Sequence, residues 1–209
     1  MLSLLLWALA LVALKPDTLG FMPTDDDADE TLMLRYGAGD ADAFARLYAR
    51  HKGPLYRYLL RQCDQPAVAE ELFQDVWLKL IAARSGYTVR AKFTTWLYRL
   101  AHNRLIDHYR ASARRVPASY AEDCPEWAEV PIPVEAQPEN QEDRRRQTER
   151  LLRLLEELPE AQREAFLLKE EGGLSLEAIA QATGTGRETV KSRLRYALAR
   201  LRRGLGGAR

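Results

Sequence analysis

The chain has 209 residues, 46% hydrophobic and 29% charged, which suits one or two soluble domains with real cores rather than a protein built of membrane spans. Its formal net charge of +1 excludes general adhesion to polyanions, yet the charge is segregated. Asp25, Asp26, Asp27, Asp29 and Glu30 form an acidic run, while 99–115 and 187–209 are rich in Arg, so defined nucleic-acid surfaces are expected.

Residues 2–14 are almost wholly apolar. The run is shorter than a membrane span needs, lacks a basic leading segment, and is not followed by a small-residue cleavage site. It is expected to come from an upstream start, with Met22 or Met33 as the natural beginning, the alternative being a membrane or partner-binding helix. Residues 1–39 are accordingly expected to lie outside the core fold.

The stretch 40–63 is expected to be helical, with Phe44, Leu47, Tyr48, Leu55, Tyr58 and Leu59 on one side and a bend or break at Gly53-Pro54. Pro66 introduces a second helix, "AVAEELFQDVWLKLIA", whose inner stripe is Val68, Leu72, Val76 and Leu80. Its other side carries Glu71, Gln74, Asp75 and Lys79. Ser85-Gly86 breaks it, and "RAKFTTWLYRLAHNRLIDHYR" begins a third. There Leu97, Leu100, Ala101, Leu105 and His108 share a face, and Tyr98, Arg99, His102, Asn103 and Asp107 point elsewhere. Aromatic rings interleaved with cations (Phe93, Trp96, Tyr98, Arg99, Arg104, Tyr109, Arg110) suit single-stranded nucleic acid, where bases stack on rings and Arg meets phosphate. For Phe93 and Trp96 a plain core role fits equally well. Asn103 is a candidate to read a base edge.

From 116 to 140 the composition shifts to Pro117, Pro125, Pro131, Pro133 and Pro138 among acidic residues, without Lys or Arg. An extended acidic linker is expected over 116–143. An amphipathic helix follows over 144–158 with Leu151, Leu154, Leu155 and Leu158 as its stripe. Pro159 starts another, "EAQREAFLLKEE", which Gly172-Gly173 ends.

Residues 174–205, "LSLEAIAQATGTGRETVKSRLRYALARLRRGL", divide into a short helix, a glycine turn and a longer helix, the layout of a helix-turn-helix. Ser175 is a good N-cap, Gly184 supplies positive φ, and Thr185 with Glu188 reads as a capping box. Val190, Leu194, Ala197, Leu198 and Leu201 form the expected inward stripe, leaving Glu188, Lys191, Ser192, Arg195 and Arg202 outward. Hydroxyls and cations near a helix N-terminus suit base edges and phosphates.

Nothing points to catalysis. His51, His102 and His108 are scattered, Cys63 and Cys124 lie far apart outside any metal-type spacing, and no nucleophile elbow, phosphate loop or zinc-protease pattern occurs. No metal and no cofactor are expected, and the cysteine usage suits a reducing, cytoplasmic compartment.

With the pieces in this order, the chain resembles bacterial RNA polymerase sigma factors of the sigma-70 family, and most of all the small extracytoplasmic-function (ECF) group that keeps regions 2 and 4. The passages that carry the resemblance are "AEELFQDVWLKL", "FTTWLYRLAHNRLIDHYR", "LPEAQREAFLL" and "LSLEAIAQATGTGRETVKSRLRYALARLR". The resemblance implies an all-α protein of two small helical domains, region 2 over 40–115 and region 4 over 144–209, joined by the acidic linker. It implies a non-enzymatic subunit that binds core RNA polymerase and directs it to promoter DNA, with an anti-sigma factor as a further partner. Matched residue by residue, Glu71, Gln74 and Asp75 would contact core polymerase. Trp96, Tyr98, Arg99, Asn103, Asp107 and Arg110 would hold the melted minus-10 strand. Arg187, Glu188, Lys191, Ser192 and Arg195 would read the minus-35 duplex. Two departures stand out: the apolar N-terminus has no counterpart, and Gly186 and Arg187 replace the more usual hydrophobic or small residues, which bears on the promoter read. The rival reading is a free-standing helix-turn-helix regulator that binds operator DNA without polymerase. It leaves "ELFQD" and the aromatic-basic third helix without a purpose.

Overall fold

A computed structural model describes residues 27–63, 65–114 and 141–206; the apolar run at 2–14 and nearly all of the expected linker lie outside them. Within the described residues the fold is all-α, with eight α-helices and no strand. They are α1 (Asp29–Gly37), α2 (Ala41–Leu60), α3 (Pro66–Ala83), α4 (Phe93–Arg114), α5 (Gln141–Glu156), α6 (Glu160–Glu170), α7 (Leu176–Thr183) and α8 (Arg187–Gly206), with a 3-10 turn at Arg84–Gly86. No helix among the described residues is long and apolar enough to cross a membrane.

The first correction concerns residues 1–39. Helix α1 belongs to the core: Leu32 and Met33 are fully buried and Tyr36 almost so. The acidic run hid this, because the carboxylates of Asp27 and Asp29 are paired rather than a solvated tail. Asp27 accepts from Arg35 (2.7 Å) and Arg46 (3.1 Å), and Asp29 from Arg50 (2.8 Å) and His51 (2.8 Å). Asp29 and Glu30 also place negative charge at the positive end of the α1 dipole, with Arg35 at the other.

Helix α2 starts where Asp40 accepts hydrogen bonds from the amides of Asp42 (3.1 Å) and Ala43 (3.3 Å), a side-chain N-cap. It then runs without interruption through Gly53-Pro54, where a bend or break was expected. A proline inside a helix forfeits one backbone hydrogen bond. Burial of Leu55, Tyr58 and Leu59 immediately after it offsets that cost and holds the helix together. Pro66 opens α3 at the position where its missing amide is harmless. The buried side of α3 is broader than the four-residue stripe expected: Ala69, Phe73 and Trp77 join Leu72, Val76 and Leu80, while Val68 is only half-buried. Trp77 packs edge-on to Phe44 (5.8 Å) and Tyr48 (4.9 Å), locking α2 to α3.

Helix α4 buries Phe93, Leu97, Ala101 and Leu105 against this bundle. In the C-terminal half, Leu155 and Leu158, on and just beyond α5, meet Ala197 and Leu201 of α8 in a small separate cluster. Ala165, Leu167, Leu168, Leu174, Ile179, Ala182, Val190 and Leu194 instead join the same apolar cluster as α1–α4. The two halves are therefore packed together, with α7 against α4.

Polar contacts ring that junction. Glu171, whose side chain is 10% exposed, accepts from Arg57 (2.8 Å) and Arg61. Glu164 takes the Tyr58 hydroxyl (3.1 Å) and lies 2.6 Å from His102 Nδ1. Burial, reinforced by the neighbouring Glu164 charge, pushes the Tyr58 phenol well above its ordinary pKa. Gly172 lies at the closest approach. A Cβ there would stand 2.7 Å from the Leu168 carbonyl oxygen and 3.0 Å from the Tyr98 ring.

Candidate polymerase and nucleic-acid interfaces

The C-terminal motif is built as its residues dictate. Ser175 Oγ accepts from the Ala178 amide (3.1 Å) and caps α7, and Gly184 ends it in the left-handed region at φ 65°. The start of α8 differs from the capping box expected at Thr185. The helix begins at Arg187, and the Gly186 carbonyl already accepts from the Val190 amide (3.1 Å). Thr183 donates to the Ile179 carbonyl (2.8 Å), so the Thr185 hydroxyl, 3.0 Å from Thr183 Oγ1, is the donor between the two. Glu188 turns outward to Arg187 (3.1 Å) and Lys191 (3.7 Å), and Arg187 also meets Glu177 (2.5 Å).

On α8 the inward line is Val190, Leu194, Ala197 and Leu201. Leu198, expected on it, is 36% exposed, because a residue directly after an inward one is turned about 100° round the helix. Arg187, Glu188, Lys191 and Arg195 are exposed and Ser192 is half-buried. Arg195 lies over the Tyr196 ring (5.0 Å) and donates to the Tyr196 hydroxyl (3.3 Å), both residues being exposed. The surface thus offers a hydroxyl and three cations along the first two and a half turns of α8.

Helix α4 presents a different face. Arg99, Asn103, Asp107 and Arg110 are exposed, Trp96 is half-buried, and at about 100° per residue the five fall within roughly 80° of one another. The Trp96 ring lies against Phe93 (5.9 Å) and Tyr87 (4.9 Å). Phe93 is fully buried, which decides the open alternative for that residue in favour of core. Tyr98 is a correction. Its expected place among the strand-binding residues does not hold, because it is 2% exposed and stands edge-on to Tyr58 (5.3 Å) beneath the Gly172 turn. Burial, only partly opposed by Arg57, raises its pKa far above the ordinary phenol value. In this arrangement it is closed to a base. His102, also expected to point outward, is half-buried and turned to Glu164.

On α3, Glu71 is exposed while Gln74 and Asp75 are partly so, and Leu78 beside them is 58% exposed. The two carboxylates are joined across to α4: Arg104 donates to Asp75 (2.6 Å) and Glu71 (3.3 Å). Arg104, one of the cations interleaved with the aromatic rings, gives its charge to these acids instead. Two features had no signal in the sequence. One is Tyr87, half-buried against Trp96, with a pKa pushed up to about 12 by burial and then by Glu30 and Asp29. The other is Glu30, whose carboxylate accepts from the Phe93 amide (2.6 Å).

Comparison with known proteins places this geometry. The family model described as Sigma-70 region 2 matches residues 47–115, and that described as Sigma-70, region 4 matches residues 148–201. The ECF RNA polymerase sigma factor SigK of Mycobacterium sp. (strain KMS) is 31% identical over 196 residues, covering 92% of this chain and 96% of that one. The ECF RNA polymerase sigma factor SigM of Mycobacterium tuberculosis (strain ATCC 25618 / H37Rv) is 30% identical, covering 90% and 89%. Among solved structures, the sigma factor RpoE in complex with the anti-sigma factor NepR from Bartonella quintana aligns with a TM-score of 0.63 at 23% identity, covering 79% of this chain and 98% of that one. CnrH in complex with the cytosolic domain of CnrY aligns at 0.62 and 22%, covering 88% and 100%. At these identities the structures speak for the fold. Two helical domains with an acid-edged α3, an aromatic-cationic α4 and a helix-turn-helix, matched in order by both family segments and by full-length relatives, make the chain a member of the sigma-70 family of RNA polymerase sigma factors, in its ECF group.

Proposed function

We propose that this sigma factor docks on core RNA polymerase through Glu71, Gln74 and Asp75, reads the minus-35 duplex with α8, and holds the melted minus-10 strand along α4. The observation that carries the reading is the single outward stripe of Trp96, Arg99, Asn103, Asp107 and Arg110. A ring for a base to stack on, cations for phosphates and an amide for a base edge follow one another along one helix side. On α8, Arg187, Lys191 and Arg195 supply cations for the duplex backbone and base edges, with Glu188 and Ser192 between them as acceptor and donor. Tyr98 has no part in strand binding while the domains are packed together.

The chain works in the cytoplasm, where polymerase and DNA are. An anti-sigma factor is a further partner, a reading supported by the similar fold of RpoE bound to NepR. The test is co-purification with core polymerase followed by run-off transcription. The expected result is a stable complex that initiates at defined promoters. Replacing Glu71, Gln74 and Asp75 together with Ala should weaken core binding with helicity unchanged. A chain that shifts duplex DNA alone and never binds core would overturn the proposal.

A further inference from the structure

Helix α4 lacks a local cap. Its first residue is Phe93, and Lys92 before it has no acceptor to offer the free amides of the first turn. The acceptor comes from 63 positions away in the sequence: Glu30 Oε1 receives the Phe93 amide at 2.6 Å. A run of contacts carries this anchorage to the strand-binding stripe. Asp29, next to Glu30, holds His51 (2.8 Å), whose ring lies on Phe93 (5.2 Å). Phe93 lies on Trp96 (5.9 Å), and Trp96 on Tyr87 (4.9 Å). An open groove of about 700 Å³ lies at the same place, with Glu30 on one wall and Val89, Arg90 and Lys92 on the other. Two exposed cations and an exposed valine therefore face the carboxylate that fixes the helix start.

We propose that Glu30 is a positioning residue for promoter opening. It lies in α1, before the segment matched by region 2 of the family. From there it fixes the start of α4, and with it the angle at which Trp96 and segment 87–92 meet the displaced DNA strand. The proposal rests on the reading that α4 captures that strand. Glu30 touches no base and acts through Phe93. It also fills the positive end of α4, where a backbone phosphate would otherwise settle, and so leaves Arg90 and Lys92 as the anionic strand's neighbours.

The experiment uses the full chain assembled with core polymerase, assayed well below its melting temperature. Permanganate reactivity is measured on duplex promoter and on a pre-melted template carrying either the preferred or a single-base-substituted minus-10 strand. Glu30→Ala should lower open-complex formation on duplex about tenfold, the scale of a lost helix cap. It should also lower discrimination between the two pre-melted strands, leaving core affinity and minus-35 binding unchanged. Glu30→Gln, which keeps an acceptor for the Phe93 amide, should restore most of both. A purely structural role would lower the melting temperature and leave strand discrimination intact, and that result overturns the proposal. Equal losses in the Ala and Gln variants overturn it too, because the cap would then not be the operative contact. If the Ala variant fails to fold, Glu30→Asp, one methylene too short to reach, supplies the graded version. Asn103→Ala run in parallel separates the two levels of the argument. Altered discrimination in Asn103→Ala alone sinks the role of Glu30, and in neither variant sinks the reading of α4 itself.

Discussion

Helices α4 and α8 are both long and rich in arginine, yet they sit in the molecule in opposite ways. Helix α8 packs on α5, α6 and α7 along one line of apolar residues, and its outward cations stand in solvent, with Lys191 63% exposed. Helix α4 is enclosed by α3 on one side and α7 on another, and only a narrow stripe stays outside. The difference suits what each has to meet. A duplex groove admits a whole helix, so a reading helix needs one broad side left uncovered. An unpaired strand is flexible, and a rigid, anchored platform spares part of the ordering that capture requires.

The strongest way to sharpen this contrast is to cut side chains from each helix. Phe93→Ala should cost about 3–5 kcal/mol, since it removes a fully buried ring beside Trp96 and His51. Tyr196→Ala on the exposed side of α8 should cost less than about 0.5 kcal/mol. Thermal unfolding of the two variants measures the difference, and similar losses would break the comparison. Next in size, Gly172→Ala drives a methyl into the Leu168 carbonyl and the Tyr98 ring, and should cost about 2–3 kcal/mol. Calorimetry should show it, with Tyr98 becoming accessible to solvent quenchers of its fluorescence.

Smaller effects separate the DNA contacts. Lys191→Ala should weaken minus-35 duplex binding by on the order of 1 kcal/mol and reduce the salt slope by about one, with strand capture on a pre-melted bubble unchanged. Asn103→Ala should do the reverse, sparing duplex binding and losing base selectivity in the bubble. Identical behaviour of the two on every template would remove the division of labour. The smallest effect is one of pH. Burial alone would raise the pKa of Asp29, but hydrogen bonds and charge from His51 and Arg50 bring it below its ordinary value of 3.8. A carboxylate depressed in the folded state adds stability that is present above the ordinary value and is lost as pH falls through the depressed one. Amide exchange in α1 should therefore speed up below about pH 4, and Asp29→Asn should remove that dependence.

What the sequence reveals divides along the same line. Helix α8 is one-sided, so its 3.6-residue periodicity shows its inward residues, apart from Leu198. Ser175 and Gly184 announce their roles because a cap and a left-handed turn are local events. Helix α4 is covered from two sides, so no single stripe describes it, and Tyr98 reads as a surface ring when it is an interdomain one. Glu30, Arg104 and Glu171 were illegible for a related reason. Their partners lie 63, 29 and 114 positions away, and neither spacing nor propensity records a contact of that kind. Asp27 and Asp29 of the acidic run misled in the same way, their charges being matched by Arg35 and by Arg46, Arg50 and His51 of the next helix.

The packing of α7 on α4 limits what the molecule can reach. Elements some 25 base pairs apart are separated by roughly 85 Å of duplex, whereas a compact fold of this length has a radius of gyration of about 17 Å. The two DNA faces therefore cannot both be engaged until the halves part. Parting them takes Tyr58, Tyr98 and Leu174 out of their buried setting and removes the cations from Glu171. Any ligand that needs the spread form binds with its intrinsic affinity scaled down by the fraction of molecules already spread. Polymerase must supply that free energy through contacts made only to the spread form, and promoter DNA alone, gripping one element at a time, supplies less of it. A partner that grips the packed form draws on the same equilibrium from the other side: its own affinity is scaled only by the packed fraction, and its binding lowers the fraction that polymerase can use.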